Sequence, residues 1–228
     1  MTDKLIVELI EKTEGIFDEF SKQLFASFSF SKNESSAYNQ KLIFPTYSNK
    51  EIRVSEQEAR FAFCNVLEKT DNEFLYSVET PTVKKYSFSE GGGEQSAMTD
   101  LTLHYKRTFA NVEFKAHSVD KKNITKDFKK LIREDVPVAI FIQVFENIDK
   151  GTIENFFEKK LKLSVKEVLE KTDEKEIQEK KFILYICCLD KKTKHHYVFE
   201  NIEALENCIS KKEDFKKKLM AKTITLTE

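Results

Sequence analysis

Three charged residues in two neighbouring apolar segments carry the clearest chemical signal in the sequence. Asp100 lies in SAMTDLTLHY, Glu113 and Lys115 lie in NVEFKAHS, and both segments alternate as β-strands do. Alternate side chains of a strand share a face, so Glu113 and Lys115 project together and Phe114 projects to the other side. An acid and a base on a buried strand are costly unless they are paired or bind a ligand. Two carboxylates beside a lysine are what metal-dependent cleavage of a phosphodiester requires.

The pattern Glu-x-Lys alone is weak evidence in a chain that is 34% charged. It occurs at Glu113, Glu158 and Glu179, and the last two lie in Lys/Glu-rich stretches with helical patterns. Only Glu113 lies on an apolar alternating segment that follows a second such segment carrying an aspartate. The context of the pattern, rather than the pattern itself, therefore supports a site.

The composition predicts a folded protein without a general affinity for polyanions. Apolar residues make up 40% and aromatic residues 12% of the 228 residues, which is enough for a hydrophobic core. The net charge is only -1, so contacts with nucleic acid would have to come from local patches. The first residues do not resemble a signal peptide, and no apolar run has the length of a membrane span.

The cysteines indicate a reducing compartment. Cys64, Cys187, Cys188 and Cys208 show no Cys-x-x-Cys spacing, so we expect reduced thiols in a cytoplasmic protein and no zinc site. Cys187 and Cys188 are adjacent in an apolar run, and on a strand they would point to opposite faces.

Hydrophobic periodicity predicts a helix, three strands, a helix and a strand across residues 55–146. Ser55 and Glu58 form the pattern of a capping box at the first helix. The four predicted strands are Glu73–Thr80 (ending at Pro81), Ala97–Tyr105, Ala110–Ala116 and 138–145. The second helix is expected at 123–134. The flanking predictions are a helix at 3–25, a long charged helix at 152–180, a hairpin of 182–189 with 196–200, and a helix at 201–220.

Asp100 and, after twelve intervening residues, Glu113-Phe114-Lys115 resemble the active-site motif of the PD-(D/E)XK nuclease superfamily. The predicted element order also resembles the αβββαβ core of that superfamily. The resemblance covers roughly 52–147, which is under half of the chain, and Thr99 stands where the motif name has Pro. It implies an α/β fold with a restriction-endonuclease-like core and a mixed central sheet flanked by helices. We expect one domain over 1–228, with extensions at 1–51 and 148–228.

The resemblance also assigns roles to the residues. Asp100, Glu113 and the backbone carbonyl of Phe114 would bind Mg²⁺ or Mn²⁺, and Lys115 would orient or deprotonate the attacking water. An upstream acid would come from the preceding helix, at Glu58 or Glu56. Glu58 is preferred because it lies deeper in the helix, although closing the capping box would account for it equally well. Glu79, at the end of a predicted strand, is a further candidate carboxylate for the site. The alternative is that Glu79 is simply an exposed residue at the end of the strand.

A group of lysines just after this motif could grip a phosphate backbone, or could be an ordinary solvated helix face. The lysines are Lys121, Lys122, Lys126, Lys129 and Lys130.

These observations predict a metal-dependent nuclease that acts on nucleic acid, with DNA as the expected substrate. One alternative is an inactive nuclease fold that binds nucleic acid or a protein partner. Another is that Asp100, Glu113 and Lys115 form only a cross-strand salt bridge on a half-exposed sheet, which would contribute little to stability. A homodimer and a larger defence or repair assembly both remain open as assembly states, and no membrane partner is expected.

Overall fold

A mixed six-stranded sheet with helices on both faces organises the molecule. The computed structural model describes residues 3–32, 42–47, 51–70, 73–87 and 92–210, apart from the side chains at 150 and 153. The strands lie in chain order, β1 to β6, across the sheet. Their bounds are β1 Phe74–Tyr86, β2 Gln95–Tyr105, β3 Thr108–Ala116, β4 Val138–Phe145, β5 Lys181–Cys188 and β6 Thr193–Phe199. The predicted α/β fold with a mixed, helix-flanked sheet is therefore confirmed.

Parallel pairing is confined to the centre of the sheet. β3 pairs parallel with β4, and β4 pairs parallel with β5, whereas the β1–β2, β2–β3 and β5–β6 pairs are antiparallel. All eight residues of β4 are buried, as expected for a continuous apolar run between two layers of helices. β5 and β6 continue the same sheet, so the segment predicted as a C-terminal extension completes the central layer.

Helices α1 (Asp3–Ser31) and α2 (Glu56–Thr70) cover one face of the sheet. Their buried aromatic residues interlock with the strands: the ring of Phe63 lies 5.3 Å from that of Phe20 and 5.5 Å from that of Phe114. Burial of this apolar face is the main stabilising term for these two helices. Phe114 is thereby fixed on this side, and the side chains before and after it must face the other side.

The opposite face is covered by helices from the second half of the chain. These are α3 Lys121–Arg133, α4 Lys150–Glu154, a π-helical stretch Asn155–Leu161, α5 Lys162–Lys171 and α6 Ile202–Ser210. α3 connects β3 to β4 and packs through Ile124, Phe128 and Leu131, so it lies directly over the face that presents Glu113 and Lys115. Cys187 and Cys188 belong to different core clusters, which confirms that they point to opposite faces.

Several predicted boundaries were wrong, and the first helix, predicted to end at 25, continues to Ser31. β1 does not end at Pro81 but continues to Tyr86, with a register shift between Pro81 and Lys85. It tolerates the proline because it is an edge strand, where a missing N–H is not needed on the open side. The helix predicted to reach 180 ends at Lys171, because Thr172 is extended and the Gln178 N–H bonds to the Ile132 carbonyl instead. Residues 211–220 of the last predicted helix lie outside the described residues, and no helix within the described ranges could span a membrane.

Glu134, just after α3, fixes the outer end of β1 against the helix. Its carboxylate accepts hydrogen bonds from Val83 N (2.9 Å), Lys84 N (3.0 Å) and Tyr86 Oη (2.7 Å). Its backbone carbonyl accepts from Lys180 Nζ, which is buried. These bonds hold together the elements that surround Asp100 and Glu113.

A Lys180→Met substitution is expected to change how stability varies with pH. Burial lowers the pKa of Lys180 to about 8, from an ordinary value of 10.5, although the nearby Glu134 opposes this shift. Between those values the unfolded chain binds more protons than the folded protein, so wild-type stability rises with pH relative to the variant. Urea denaturation measures the unfolding free energy of both proteins. We expect the difference between wild type and Lys180→Met to change by on the order of 3 kcal/mol between pH 8 and 10.5. Parallel pH profiles for the two proteins would contradict this account.

Candidate active site

The site lies where strands β2 and β3 part. The two strands are paired from Tyr105–Thr108 up to Leu101–Val112, and the β2 residues before Leu101 pair only with β1. Asp100 is the first residue beyond this pairing. Its Oδ2 accepts a hydrogen bond from the Phe114 N–H (2.8 Å), so a side chain replaces the missing strand partner. The parting of the strands opens the sheet beside Glu113 and Lys115.

Helix α3 places two further charged residues over this opening. Lys115 Nζ lies 2.9 Å from Asp127 Oδ2, and Lys130 Nζ lies 3.3 Å from Asp127 Oδ1 and 2.7 Å from Glu113 Oε1. Lys115 also contacts Glu56 Oε2 at 3.2 Å. The acids and lysines therefore alternate in an unbroken chain from Glu113 to Glu56. We call these five residues together with Asp100 the acid–lysine cluster.

The cluster is largely removed from water, and this determines its protonation. Glu113 is fully buried (0% exposed), and burial together with the negative charge of Asp127 raises its pKa well above the ordinary value. Burial alone would lower the pKa of Lys115, but the charges of Asp127 and Glu56 outweigh that effect and raise it. Lys130 responds in the same way to Glu113 and Asp127. Both lysines therefore stay charged at neutral pH, whereas burial and Asp127 oppose ionisation of Glu113 and the Lys130 ammonium group favours it.

The cluster contains more carboxylates than cations. The carboxylates of Glu56, Asp100, Glu113 and Asp127 act on the ammonium groups of Lys115 and Lys130. Neither oxygen of Glu113 accepts a hydrogen bond of good geometry within the described residues, although Oε1 is close to Lys130. Oε2 therefore has no partner among the described residues, and an unpaired oxygen on a buried carboxylate is costly unless it meets a cation or a proton.

The donor types near the strand parting, carboxylate and carbonyl oxygens, are those that a hard divalent cation prefers. Across the described ranges no group of three or more His, Cys, Asp or Glu side chains is arranged to hold a metal ion. Mg²⁺ does not need such a cage, because it keeps several waters and commonly uses one or two carboxylates. Asp100, Glu113 and the Phe114 carbonyl offer oxygen donors of this kind. In the folded chain that carbonyl accepts from Lys115 Nζ (2.9 Å), and Lys130 lies against Glu113.

The structure places Glu56, rather than the preferred Glu58, in the cluster. The Glu58 carboxylate accepts from Ser55 N (2.6 Å) and from the Ser55 hydroxyl, so it closes the predicted capping box. Position along the helix favoured Glu58, but the direction in which each side chain points around the helix decides which glutamate reaches Lys115. Glu56 lies on the side of the first turn of α2 that faces Lys115, and its side chain is 46% exposed at the edge of the cluster.

Replacing each of these two glutamates by Ala should separate the roles. Glu58→Ala removes the reciprocal bonds of the capping box and should lower the unfolding free energy by about 1 kcal/mol. Glu56→Ala removes one half-exposed ion pair, for which a loss of less than about 1 kcal/mol is expected. Urea denaturation at neutral pH measures both. A larger loss in Glu56→Ala than in Glu58→Ala would contradict the assignment of the cap.

Glu79 lies outside the cluster. It has a positive φ of 53° in β1 and pairs with Arg60 at 2.8 Å, with its side chain 57% exposed. The same Arg60 Nη1 lies 3.4 Å from the Asp100 carbonyl, so the pair borders the site without entering it. The reading of Glu79 as an exposed strand residue is the one that its geometry favours.

The sequence argument missed the role of α3. The motif does not include Asp127, and the expected phosphate contact of Lys130 does not hold, since Lys130 lies inside the cluster. A signal was present: Asp127 follows Ile124 by three residues and precedes Leu131 by four. An acid in that position lies on the face that the helix buries.

Comparisons with known proteins do not decide among these possibilities. No protein-family model, curated protein or solved structure matches the chain. The cluster itself is therefore the basis for inferring a function.

Proposed function

We propose that this protein is a metal-dependent nuclease with a restriction-endonuclease-like core, and that the acid–lysine cluster is its active site. The observation that carries the proposal is the excess of carboxylates over ammonium groups at the parting of β2 and β3, beside a buried lysine. The element order from α2 to β4 supports it, because helix, three strands, helix and strand is the order of that core.

A Mg²⁺ or Mn²⁺ ion, when bound by Asp100, Glu113 and the Phe114 carbonyl, supplies charge stabilisation and an acidic bound water. Asp100 is held in place by the Phe114 N–H, so one of the donors is oriented before any ligand arrives. Lys115 is kept charged by Asp127 and Glu56, which suits it to stabilise negative charge on a phosphate. Its high pKa argues against Lys115 as the base that deprotonates water.

Lys130 has a different role in this account. It lies against Glu113 and also donates to the Met98 carbonyl (2.9 Å), and so bridges the two parted strands. The Lys130 ammonium group would compete with a divalent cation for the Glu113 carboxylate. Lys130 therefore stabilises the folded site when no divalent ion is bound.

The competing function is an inactive nuclease fold that binds nucleic acid or a protein partner. The specific observation in its favour is that each buried acid of the cluster already lies against a lysine. The same ion-pair chain could exist for stability alone, although replacing buried pairs by apolar residues is often as stable.

A cleavage assay tests the proposal. The wild-type protein is incubated with single- and double-stranded DNA and RNA in Mg²⁺, Mn²⁺ or EDTA. We expect phosphodiester cleavage of at least one substrate, with DNA the first expectation, and loss of cleavage in EDTA. Cleavage that persists in EDTA would contradict a metal-dependent mechanism. Binding without cleavage under every condition would favour the inactive fold.

A further inference from the structure

A second feature of α3 is a cleft on its outer side, between the helix and α5. The cleft has a volume of about 440 Å³ and is bordered by Ser87, Thr125 and Val168 among other residues. Its charged lining consists of five lysines and one glutamate, Glu167. The lysines are Lys121, Lys122, Lys126, Lys129 and Lys171.

The positive charge of this cleft is only partly neutralised by its own lining. Glu167 is shared between Lys121 (2.5 Å) and Lys171 (2.8 Å), so one carboxylate faces two ammonium groups. Lys129 donates to a backbone carbonyl, that of Ser87, at 3.2 Å, which leaves its charge unopposed by that contact. In a chain with 38 basic and 39 acidic residues, such a concentration of one sign is a local feature.

The lysines of α3 follow the helical repeat and border the acid–lysine cluster. Lys122, Lys126 and Lys129 are spaced four and three residues apart, which places them within an arc of about 60° on the helix. At 100° per residue, Lys130 lies about 40° beyond Lys126 around the helix, and Asp127 lies about 60° beyond Lys130 in the same direction. The side chains of α3 from the lysine cleft to the residues that contact Glu113 and Lys115 therefore extend about 160° around the helix, with Lys130 next to Lys126.

We propose that this cleft binds the sugar–phosphate backbone of a nucleic acid that continues from the cleft towards the acid–lysine cluster. The inference rests on the proposed function, because it assigns the binding surface for the same substrate. From Lys122 to Lys129 the helix rises about 10 Å, a length over which duplex DNA carries about six phosphates on its two strands. Lysine contacts to phosphate position a nucleic acid without reading its sequence. The surface therefore predicts affinity that depends on salt and little on sequence.

Fluorescence anisotropy with labelled DNA and RNA oligonucleotides, in EDTA so that no cleavage occurs, tests the cleft. The cleft variant carries Lys122→Gln, Lys126→Gln and Lys129→Gln. Its matched control carries Lys4→Gln, Lys175→Gln and Lys192→Gln, which removes the same charge from exposed positions elsewhere. We expect the cleft variant to bind roughly tenfold or more weakly, and its slope of log affinity against log salt to fall by about 2 to 3. The control should stay within about twofold of the wild type, since distant surface charges are screened.

Equal losses in both variants, or no loss in the cleft variant, would overturn the inference, as would a wild type that binds none of the oligonucleotides. The failure of the two proposals can be told apart. If the wild type cleaves and the cleft variant binds normally, the nuclease stands and the cleft assignment fails. If the cleft variant alone loses binding and the wild type cleaves nothing, the cleft stands and the nuclease fails.

Discussion

An Asp100→Asn protein is expected to cleave nucleic acid roughly 10²–10³-fold more slowly than the wild type in Mg²⁺. Asparagine keeps an oxygen that can accept from the Phe114 N–H, so the local strand geometry should survive. It removes the negative charge with which Asp100 would bind a divalent ion. The variant should therefore fold normally and lose catalysis, and single-turnover kinetics at saturating protein measures that loss.

Glu58→Gln is the control for this prediction. Glu58 is an acid of similar charge on α2, but it is committed to the capping box and lies outside the cluster. Its cleavage rate should remain within about threefold of the wild type, because no reacting group depends on it. Equal rate losses in Asp100→Asn and Glu58→Gln would show that the activity does not arise from the cluster.

The second large effect concerns stability. Lys130→Met removes the cation beside the buried Glu113 carboxylate and should lower the unfolding free energy by about 3 kcal/mol without divalent ions. Adding Mn²⁺ should recover part of this loss, because an ion bound to the folded state stabilises it and no longer competes with an ammonium group. The shift in melting temperature between EDTA and Mn²⁺ should therefore be larger in Lys130→Met than in the wild type.

Lys122→Met provides the comparison, since Lys122 lies on the exposed side of the same helix. Its stability should change by less than about 0.5 kcal/mol, with the same response to Mn²⁺ as the wild type. If Lys130→Met destabilises the protein but Mn²⁺ has the same effect on all three proteins, Lys130 is purely structural, and the idea that it competes with a cation is wrong.

Much of the fold around the site could be predicted from local patterns. The capping box at Ser55, the alternation in β2 and β3 and the apolar run of β4 each depend on neighbouring residues in the chain. Because the repeat of a strand is two residues, pairing Glu113 with Lys115 on one face needed no tertiary information. The structure confirms that both reach the same helix.

Other features depend on contacts that a single sequence does not encode locally. The parting of β2 and β3 at Asp100 depends on strand register, and the position of Asp127 depends on how α3 is rotated over β3. The continuation of β1 past Pro81 follows from its edge position, which local propensity does not reveal. The choice between Glu56 and Glu58 depended in the same way on where the first turn of α2 points.

The most direct test of the active-site proposal compares the wild type with Lys115→Met in one cleavage experiment with Mg²⁺ and with EDTA. Methionine keeps most of the buried aliphatic length of the side chain, and thermal unfolding run in parallel checks that the variant is folded. The proposal predicts cleavage by the wild type in Mg²⁺ only and none by folded Lys115→Met. Equal, Mg²⁺-dependent cleavage by both proteins would contradict it, because Lys115 is the ammonium group that the proposal assigns to stabilising charge on the phosphate.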